Sequence, residues 1–545
     1  MHPPNFEVSL KPCSFLIWAS FWAATTSTGP DFSSCISSDL HQYGTFKIAI
    51  PSNSPNFLQI FRANLREPRF YNTSSPKPLF IIAAKETSHV QGAIVCARRS
   101  GLQVRIRSGG HDYEGLSSTS EDPFVLVDLS NLRSVRVDVR SESAWVDSGA
   151  TVGDLYFRIA ERSNVYAFPA GSCSTVGIGG HLGCGGFGFI FRKYGLAADN
   201  VLDAKIIDAN GRLLTRATTG EDLFWVIRGG GGASFGVIVS WKVRLVPVPP
   251  IVTRLSVAYT LEEGGARLLQ KWQSVASRFP EDLHLRVGLS VMDSAGVSLL
   301  GGKKTVLVSF EALYLGRVDQ LLWLLKVSFP ELNVSRENCT VMTWIQSAVD
   351  LAEIGVPFDG PPSVLLNRTT QQTTPSKMKS DYVMAGRVIP EAGFEGLFRL
   401  MVEQSAFAVL TPYGGKMARI PKSQIPFPHR GGVNYEIRYG VFWEDHAETE
   451  VKLKYMRRIY DYMEGFVSRG PRSAYLCTRD IDLGRNGKGG FADYETASVW
   501  GLKYFGNNFE RLVRVKTSVD PDNFFRYEQS VPLYSHVTGN RERWI

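Results

Sequence analysis

At 545 residues the chain is long enough for two or more domains, each with a sizeable core. An apolar fraction of 44% excludes a disordered chain. The formal charge of +8 is compatible with affinity for anionic polymers or membrane surfaces and equally with an ordinary solvated surface. No block of Lys and Arg interleaved with aromatics occurs, which argues against a nucleic-acid partner.

The first 28 residues read as a secretory signal. Lys11 precedes an apolar run from Cys13 to Ala24, followed by a Ser/Thr/Gly-rich exit from Thr25 to Gly29. The run is too short to span a bilayer, so secretion without stable membrane insertion is expected. Asn-x-Ser/Thr sequons at Asn72, Asn333, Asn338 and Asn367 fit that route as glycosylation sites.

Beyond the signal, 45–75 reads as helix then loop, 78–83 as a short apolar strand, and 88–100 as a helix capped by Ser88. The alternating stretch 104–107 is a strand that delivers the chain into Ser108-Gly109-Gly110-His111. Further strands are expected at 124–128, 134–138 and 143–147, and a helix at 152–163. Strands and helices interleave up to Pro250, which makes this part α+β.

Two glycine-dense stretches stand out, Arg105 to Tyr113 and Ala170 to Gly195. Glycine permits positive φ and close approach of the backbone to a flat or anionic ligand, and successive N–H groups can line an anion-binding concavity. Each stretch also holds one nucleophile, His111 and Cys173. Two cradles with one nucleophile apiece suggest a large, covalently held cofactor. Gly183 to Gly188 formally matches Gly-x-Gly-x-x-Gly, but more glycine precedes it in place of an apolar strand. A nicotinamide dinucleotide fingerprint is therefore rejected. The acids Asp199, Asp203 and Asp208 read as ends or caps of elements. Nine scattered histidines and seven cysteines lack metal-ligand spacing, so no metal site is expected.

From 255 the character changes. Alternating stretches at 255–259, 285–291, 305–310 and 435–443 read as antiparallel strands, between amphipathic helices at 263–278, 317–328 and 449–468.

Five motifs together carry a resemblance. They are Arg107-Ser-Gly-Gly-His-Asp-Tyr113, Cys173-Ser-Thr-Val-Gly-Ile-Gly-Gly-His181, Gly220-Glu-Asp-Leu-Phe-Trp225 with Arg228-Gly-Gly-Gly-Gly232, Phe427-Pro-His-Arg430 and Asp520-Pro-Asp-Asn-Phe-Phe525. On these the chain, from Phe32 to Pro532, resembles the plant berberine bridge enzyme-like flavoproteins. The resemblance implies an α+β, two-part FAD-binding domain of the vanillyl-alcohol-oxidase type at 35–250 and 476–545. Between them it implies an inserted substrate domain, 251–475, built on an antiparallel sheet over the flavin. It implies FAD bound twice, through His111 and Cys173, with Arg107, Ser108, Gly109, Gly110, Thr175, Val176, Gly177, Gly180, His181 and Asn523 as further cofactor-binding positions. It also implies a disulfide between Cys35 and Cys96. Cys184, Cys339 and Cys477 are left as buried free thiols.

The family's reaction passes hydride from a small-molecule substrate to flavin while a side chain takes a proton, and oxygen reoxidises the flavin to give hydrogen peroxide. Val176 matches a position where members with Val tend to react with oxygen and members with Leu tend not to. Tyr113 is retained as a catalytic position, but the proton acceptor departs from the pattern. Relatives carry Tyr-x-Asn-Tyr-Arg-Asp where this chain has Tyr475-Leu-Cys-Thr-Arg-Asp480, and Thr478 cannot form an oxyanion at neutral pH. They carry Lys-x-Gln-Tyr, or Glu for the Gln, where this chain has Glu436-Ile-Arg438-Tyr439. Arg438 is permanently cationic. Glu436 shares its strand face and becomes the available base; the alternative is an ion pair at the pocket rim with no catalytic part. After the second-motif histidine a glycine has become Cys184, strained if that position requires positive φ, and a tyrosine has become Phe187.

The expectation is a secreted, monomeric FAD-linked oxidase acting on a small alcohol, phenolic, alkaloid or oligosaccharide substrate, in the apoplast, cell wall or vacuole. The alternatives are a flavin-binding relative with reduced or lost catalysis and a dehydrogenase using another acceptor.

Overall fold

A computed structural model describes residues 31–41, 48–71, 75–352, 355–369 and 374–534. The signal over 1–28 and the sequon at Asn72 lie outside the described residues. The fold is α+β. A four-stranded sheet runs in the order Ala49–Pro51, Phe80–Ala83, Phe124–Asp128, Gln103–Arg107. Its last three strands are parallel to one another, and Phe124–Asp128 is buried along its whole length, as a central parallel strand covered on both faces should be.

The helix Thr87–Arg99 covers this sheet and carries Cys96, which is disulfide-bonded to Cys35 in the helix Phe32–His41. Ser88 is not its cap. The helix begins one residue earlier, Glu86 precedes it without a side-chain cap, and His89 Nδ1 accepts the Lys85 N–H at 3.2 Å. A true capping box opens Val152–Ala160, where Thr151 and Asp154 each satisfy the other's backbone N–H.

A second, five-stranded antiparallel sheet runs Val135–Asp138, Ser143–Asp147, Val237–Arg244, Val201–Ile207, Leu213–Leu214. The chain then builds a seven-stranded antiparallel sheet in the order Cys339–Met342, Val252–Thr260, Lys304–Tyr314, Leu283–Asp293, Phe407–Pro412, Val433–Phe442, Ser376–Met384. Alternation along Val433–Phe442 sorts its two faces. Tyr435, Ile437, Tyr439 and Val441 enter a core shared with residues of Gly265–Val275, Glu391–Gln404 and Thr449–Met463. Glu436 and Arg438 lie on the opposite face, in register with Thr411 and Val409 of the neighbouring strand. The helices Tyr494–Phe505 and Asn508–Val519 return to the first part, where Trp500, Phe509 and Leu512 join one core with Val146, Ile206 and Trp241.

The strand Ser376–Met384 carries no apolar alternation that would announce it. Lys377, Lys379 and Asp381 are nevertheless buried on one of its faces. They are neutralised by ion pairs, Lys377 with Asp480 at 2.7 Å and with Glu114, Lys379 with Asp480 at 2.6 Å, and Asp381 with Arg472 at 2.6 Å. Among the described residues no helix is long and apolar enough to cross a membrane, and no group of three His, Cys, Asp or Glu side chains could hold a metal ion.

Candidate functional site

The two glycine stretches, sixty-odd residues apart in sequence, lie back to back. A Cβ on Gly109 would stand 2.4 Å from Gly177 N, and one on Gly177 would stand 2.2 Å from Gly109 N, so neither position admits a side chain. Gly110 has φ +65°, and a Cβ there would strike the Asn64 carbonyl oxygen at 1.6 Å. Ser108 Oγ donates to the Ser148 carbonyl at 2.5 Å and fixes the first turn.

This paired cradle forms one wall of a cavity of about 540 Å³, and the polar face of the seven-stranded sheet contributes part of the opposite wall through Val409, Thr411 and Arg438. His111 and Cys173 reach the cavity from different stretches and converge on one hydroxyl. His111 Nε2 is 3.0 Å, and Cys173 Sγ 3.5 Å, from Thr175 Oγ1. Burial, with the Arg66 guanidinium as a second cause, lowers the His111 pKa to about 3. The imidazole is therefore neutral at physiological pH and keeps a lone pair available.

Ser108, Gly109, Gly110, Thr175, Val176, Gly177 and Gly180 all line the cavity, and a Cβ at Gly180 would meet nothing within 4 Å. His181 lines it too, with Nε2 accepting the Gly171 N–H at 3.0 Å and a pKa lowered to about 4 by burial and then by Arg438.

Two of the expected cofactor-binding residues lie elsewhere. Arg107 is fully buried beneath the cradle, paired with Asp128 at 2.7 Å and donating to the Phe61 carbonyl at 2.7 Å; it anchors the end of its strand. Asn523, at φ +50°, forms a turn with Asp520 that sends Phe524 and Phe525 into the core under the first sheet. Neither side chain lines the cavity.

On the sheet side, Arg438 lines the cavity and its Nε lies 3.6 Å from Glu436 Oε1. Glu436 is fully buried behind it, and neither carboxylate oxygen has a hydrogen-bond partner among the described residues. Burial raises its pKa, while the Arg438 charge opposes that shift. Tyr113 lines the cavity with its pKa raised by burial against the opposing pull of Arg438, so its hydroxyl stays protonated. Thr478 is buried at the cavity wall with Oγ1 unpartnered among the described residues.

Phe187 stacks on Tyr475 with centroids 4.8 Å apart, filling with aromatic surface the place where a tyrosine was expected. Cys184 is unstrained at φ −110°, because the positive φ angles fall on Gly185 (+112°) and Gly186 (+70°). Cys184 and Cys477 are not free thiols; they are bonded to each other. Among the described residues Cys173 and Cys339 remain free.

Sequence reasoning missed Arg66, Arg105, His284 and Arg286, all of which line the cavity. Arg105 stands inside the first glycine stretch, where its place on the strand before Arg107 was the available signal. The other three sit in ordinary sequence with no local signature. Arg66 and Arg105 each keep Nε and Nη1 buried without partners among the described residues.

A family model for an FAD binding domain matches residues 78–216, and a second, "Berberine and berberine like", matches residues 474–532. The chain is 46% identical over 518 residues to tetrahydroberberine oxidase from Berberis wilsoniae, covering 94% of this chain and 96% of that one. It is 46% identical over 507 residues to a monolignol oxidoreductase from Arabidopsis thaliana, covering 92% and 90%. Among solved structures it is similar to the grass pollen allergen Phl p 4, at 41% identity and TM-score 0.86 over 93% of this chain and 100% of that one. The wild-type protein there is a glucose dehydrogenase, and a variant with Val in place of Ile is a glucose oxidase.

Proposed function

The chain belongs to the berberine bridge enzyme-like family and is an FAD-linked oxidoreductase, and from that premise we propose that it is a secreted, monomeric oxidase acting on a small alcohol, phenolic, alkaloid or oligosaccharide substrate. The observation that carries this reading is the convergence of His111 and Cys173 on Thr175 at the wall of a glycine-lined cavity. The chain's own atoms favour FAD as the occupant. Arg66 and Arg105 hold buried N–H donors without acceptors in that wall, and an anionic dinucleotide would supply the acceptors. The side chains that would hold the cofactor are His111 and Cys173, the two nucleophiles, with the Gly109–Gly110 and Gly177–Gly180 backbone close to its surface.

When bound, FAD supplies the two-electron acceptor for the substrate's hydride. The chain supplies position and proton transfer. Arg438, which lines the cavity, holds the substrate oxygen and its developing charge, and Glu436, which does not itself line the cavity and stands buried behind Arg438, is the nearest carboxylate to take the proton released from the substrate's hydroxyl. Tyr113 and Thr478 donate hydrogen bonds that orient the substrate. Val176, which lines the cavity, is the residue that by family resemblance favours oxygen as the final acceptor. The sequons support passage through the secretory route to the apoplast, cell wall or vacuole. Asn333 and Asn367 are exposed, and Asn367 Oδ1 accepts the hydroxyl of its own sequon's Thr369 at 2.6 Å.

The test is anaerobic mixing of the secreted protein with phenolic, alkaloid and sugar substrates, followed by air. The expected result is loss of the yellow flavin absorption with one class, then its return with formation of hydrogen peroxide. Bleaching that air does not reverse would replace the oxidase with a dehydrogenase. No bleaching with any class would leave a flavin-binding protein without turnover.

A further inference from the structure

Cys184 and Cys477 are 293 positions apart in sequence, yet their Cα atoms are 5.2 Å apart and their sulfurs bonded. Cys184 closes the helix Ile178–Gly183, which belongs to the second glycine cradle, and both cysteines line the cavity. Cys477 lies in a stretch with no regular helix or strand, in which all of Tyr475, Leu476, Cys477, Thr478 and Arg479 line the cavity. Irregular backbone that supplies so much of a binding wall must be held by something other than a ladder of hydrogen bonds.

Its two ends are held. The Tyr475 N–H donates to Ser380 Oγ at 2.9 Å, the Asp480 N–H donates to the Tyr504 hydroxyl at 3.0 Å, and the Asp480 carboxylate is paired with Lys377 and Lys379. Between those ends the Thr478 N–H bonds back to the Tyr475 carbonyl, inside the turn. The middle is tied sideways by the disulfide, by the stack of the Tyr475 ring on Phe187 and by Arg479, whose Nη1 donates to the Gln529 carbonyl at 3.4 Å.

We propose that the Cys184–Cys477 disulfide is a positioning element of the reaction: it pins the Tyr475–Arg479 turn against the second glycine cradle and so holds the Tyr475 ring and the Thr478 hydroxyl at the substrate face. The inference rests on the proposed reading of this cavity as the place where substrate meets flavin. Thr478 Oγ1 has no partner among the described residues and can serve a ligand only from a fixed backbone, so loosening the turn weakens the hold on substrate. Both sulfurs belong to half-buried residues at the cavity wall, whereas Cys35 and Cys96 are 5% and 0% exposed.

The test compares wild type with C184A/C477A, both carrying flavin, by hydrogen exchange and by kinetics with whichever substrate reduces the wild-type flavin. The expected result is exchange about tenfold faster or more in the 474–480 peptide, with the 103–111 and 173–183 peptides unchanged, and a KM that rises more than kcat falls. Unchanged exchange in 474–480 together with an unchanged KM would overturn the proposal. Should the double variant fail to accumulate, the wild type is treated with limiting phosphine and trapped with iodoacetamide. Alkylation of Cys184 and Cys477 ahead of Cys35 and Cys96, with the same gain in exchange, supports the clamp; alkylation without that gain overturns it. A wild type that carries no flavin would overturn the flavin reading, and the exchange comparison would still decide whether the turn is pinned.

Discussion

With Arg438 Nε 3.6 Å from one oxygen and no hydrogen bond to either, the Glu436 carboxylate is held in a place that disfavours its charge. Burial raises its folded-state pKa above the unfolded value. The stability associated with that shift is fully present below the unfolded pKa and is lost as pH rises through the folded one. Glu436→Gln removes the ionisation. The variant should therefore be more stable than wild type above the raised pKa, by about 1–3 kcal/mol, with the difference fading in acid. Thermal unfolding across pH checks this. The same change should lower kcat about 100-fold to 10,000-fold with flavin content intact, because a general base contributes about that much. Wild-type activity should fall in acid through an apparent pKa above the usual carboxylate range, and that acidic limb should vanish in the variant. A kcat unchanged by the substitution would leave Glu436 as a buried ion-pair partner of Arg438 with no catalytic part, and not the rim pair the sequence suggested. Gain in stability with loss of rate is the pattern of a group kept for chemistry.

The Gly109–Gly177 contact joins two elements whose separation the rest of the site depends on. Gly177→Ala puts a methyl group 2.2 Å from Gly109 N, so the cradles must part. The expected outcome is a folded protein with a lower flavin-to-protein ratio, read from absorbance after gel filtration; full flavin content would contradict the contact's role. The strand Ser376–Met384 makes a second such joint. Asp480 accepts from Lys377 and Lys379 at once. Asp480→Asn removes one carboxylate from a cluster in which Asp482 stays 2.9 Å from Lys379 and Glu114 stays paired with Lys377, and should destabilise the fold by about 1–3 kcal/mol, measured by denaturant unfolding. This strand was illegible in the sequence for the same reason that it matters. Lys377, Lys379 and Asp381 alternate as a solvated edge would, and only the acids and Arg472 brought from remote parts of the chain make their burial tolerable. The strands at 285–291, 305–310 and 435–443 were legible because their apolar residues alternate against a local core.

At the scale of the whole molecule, the chain leaves its first part at about residue 250, builds the seven-stranded sheet, and returns in two helices that complete the first part's core. The cavity lies between the glycine cradles and that sheet, so its polar groups come from segments hundreds of positions apart. His111 and Cys173 could be read from sequence because each sits in a run of glycines whose density has one ready physical meaning. Arg107 and Asn523 stand in the same motifs without lining the cavity, because nearness to a motif in sequence says nothing of which way a side chain turns; one anchors a strand end, the other forms a turn. The Cys184–Cys477 bond was invisible because nothing local marks two cysteines 293 positions apart as partners. The central claim is that two nucleophiles from two cradles hold one flavin. It is tested most directly by denaturing the secreted protein in acid, digesting the pellet and locating flavin on peptides by mass. The expected result is one flavin bridging the peptides that contain His111 and Cys173, with His111→Ala and Cys173→Ala each reducing the linkage to a single peptide. A pellet without flavin, or flavin on neither peptide, would contradict it.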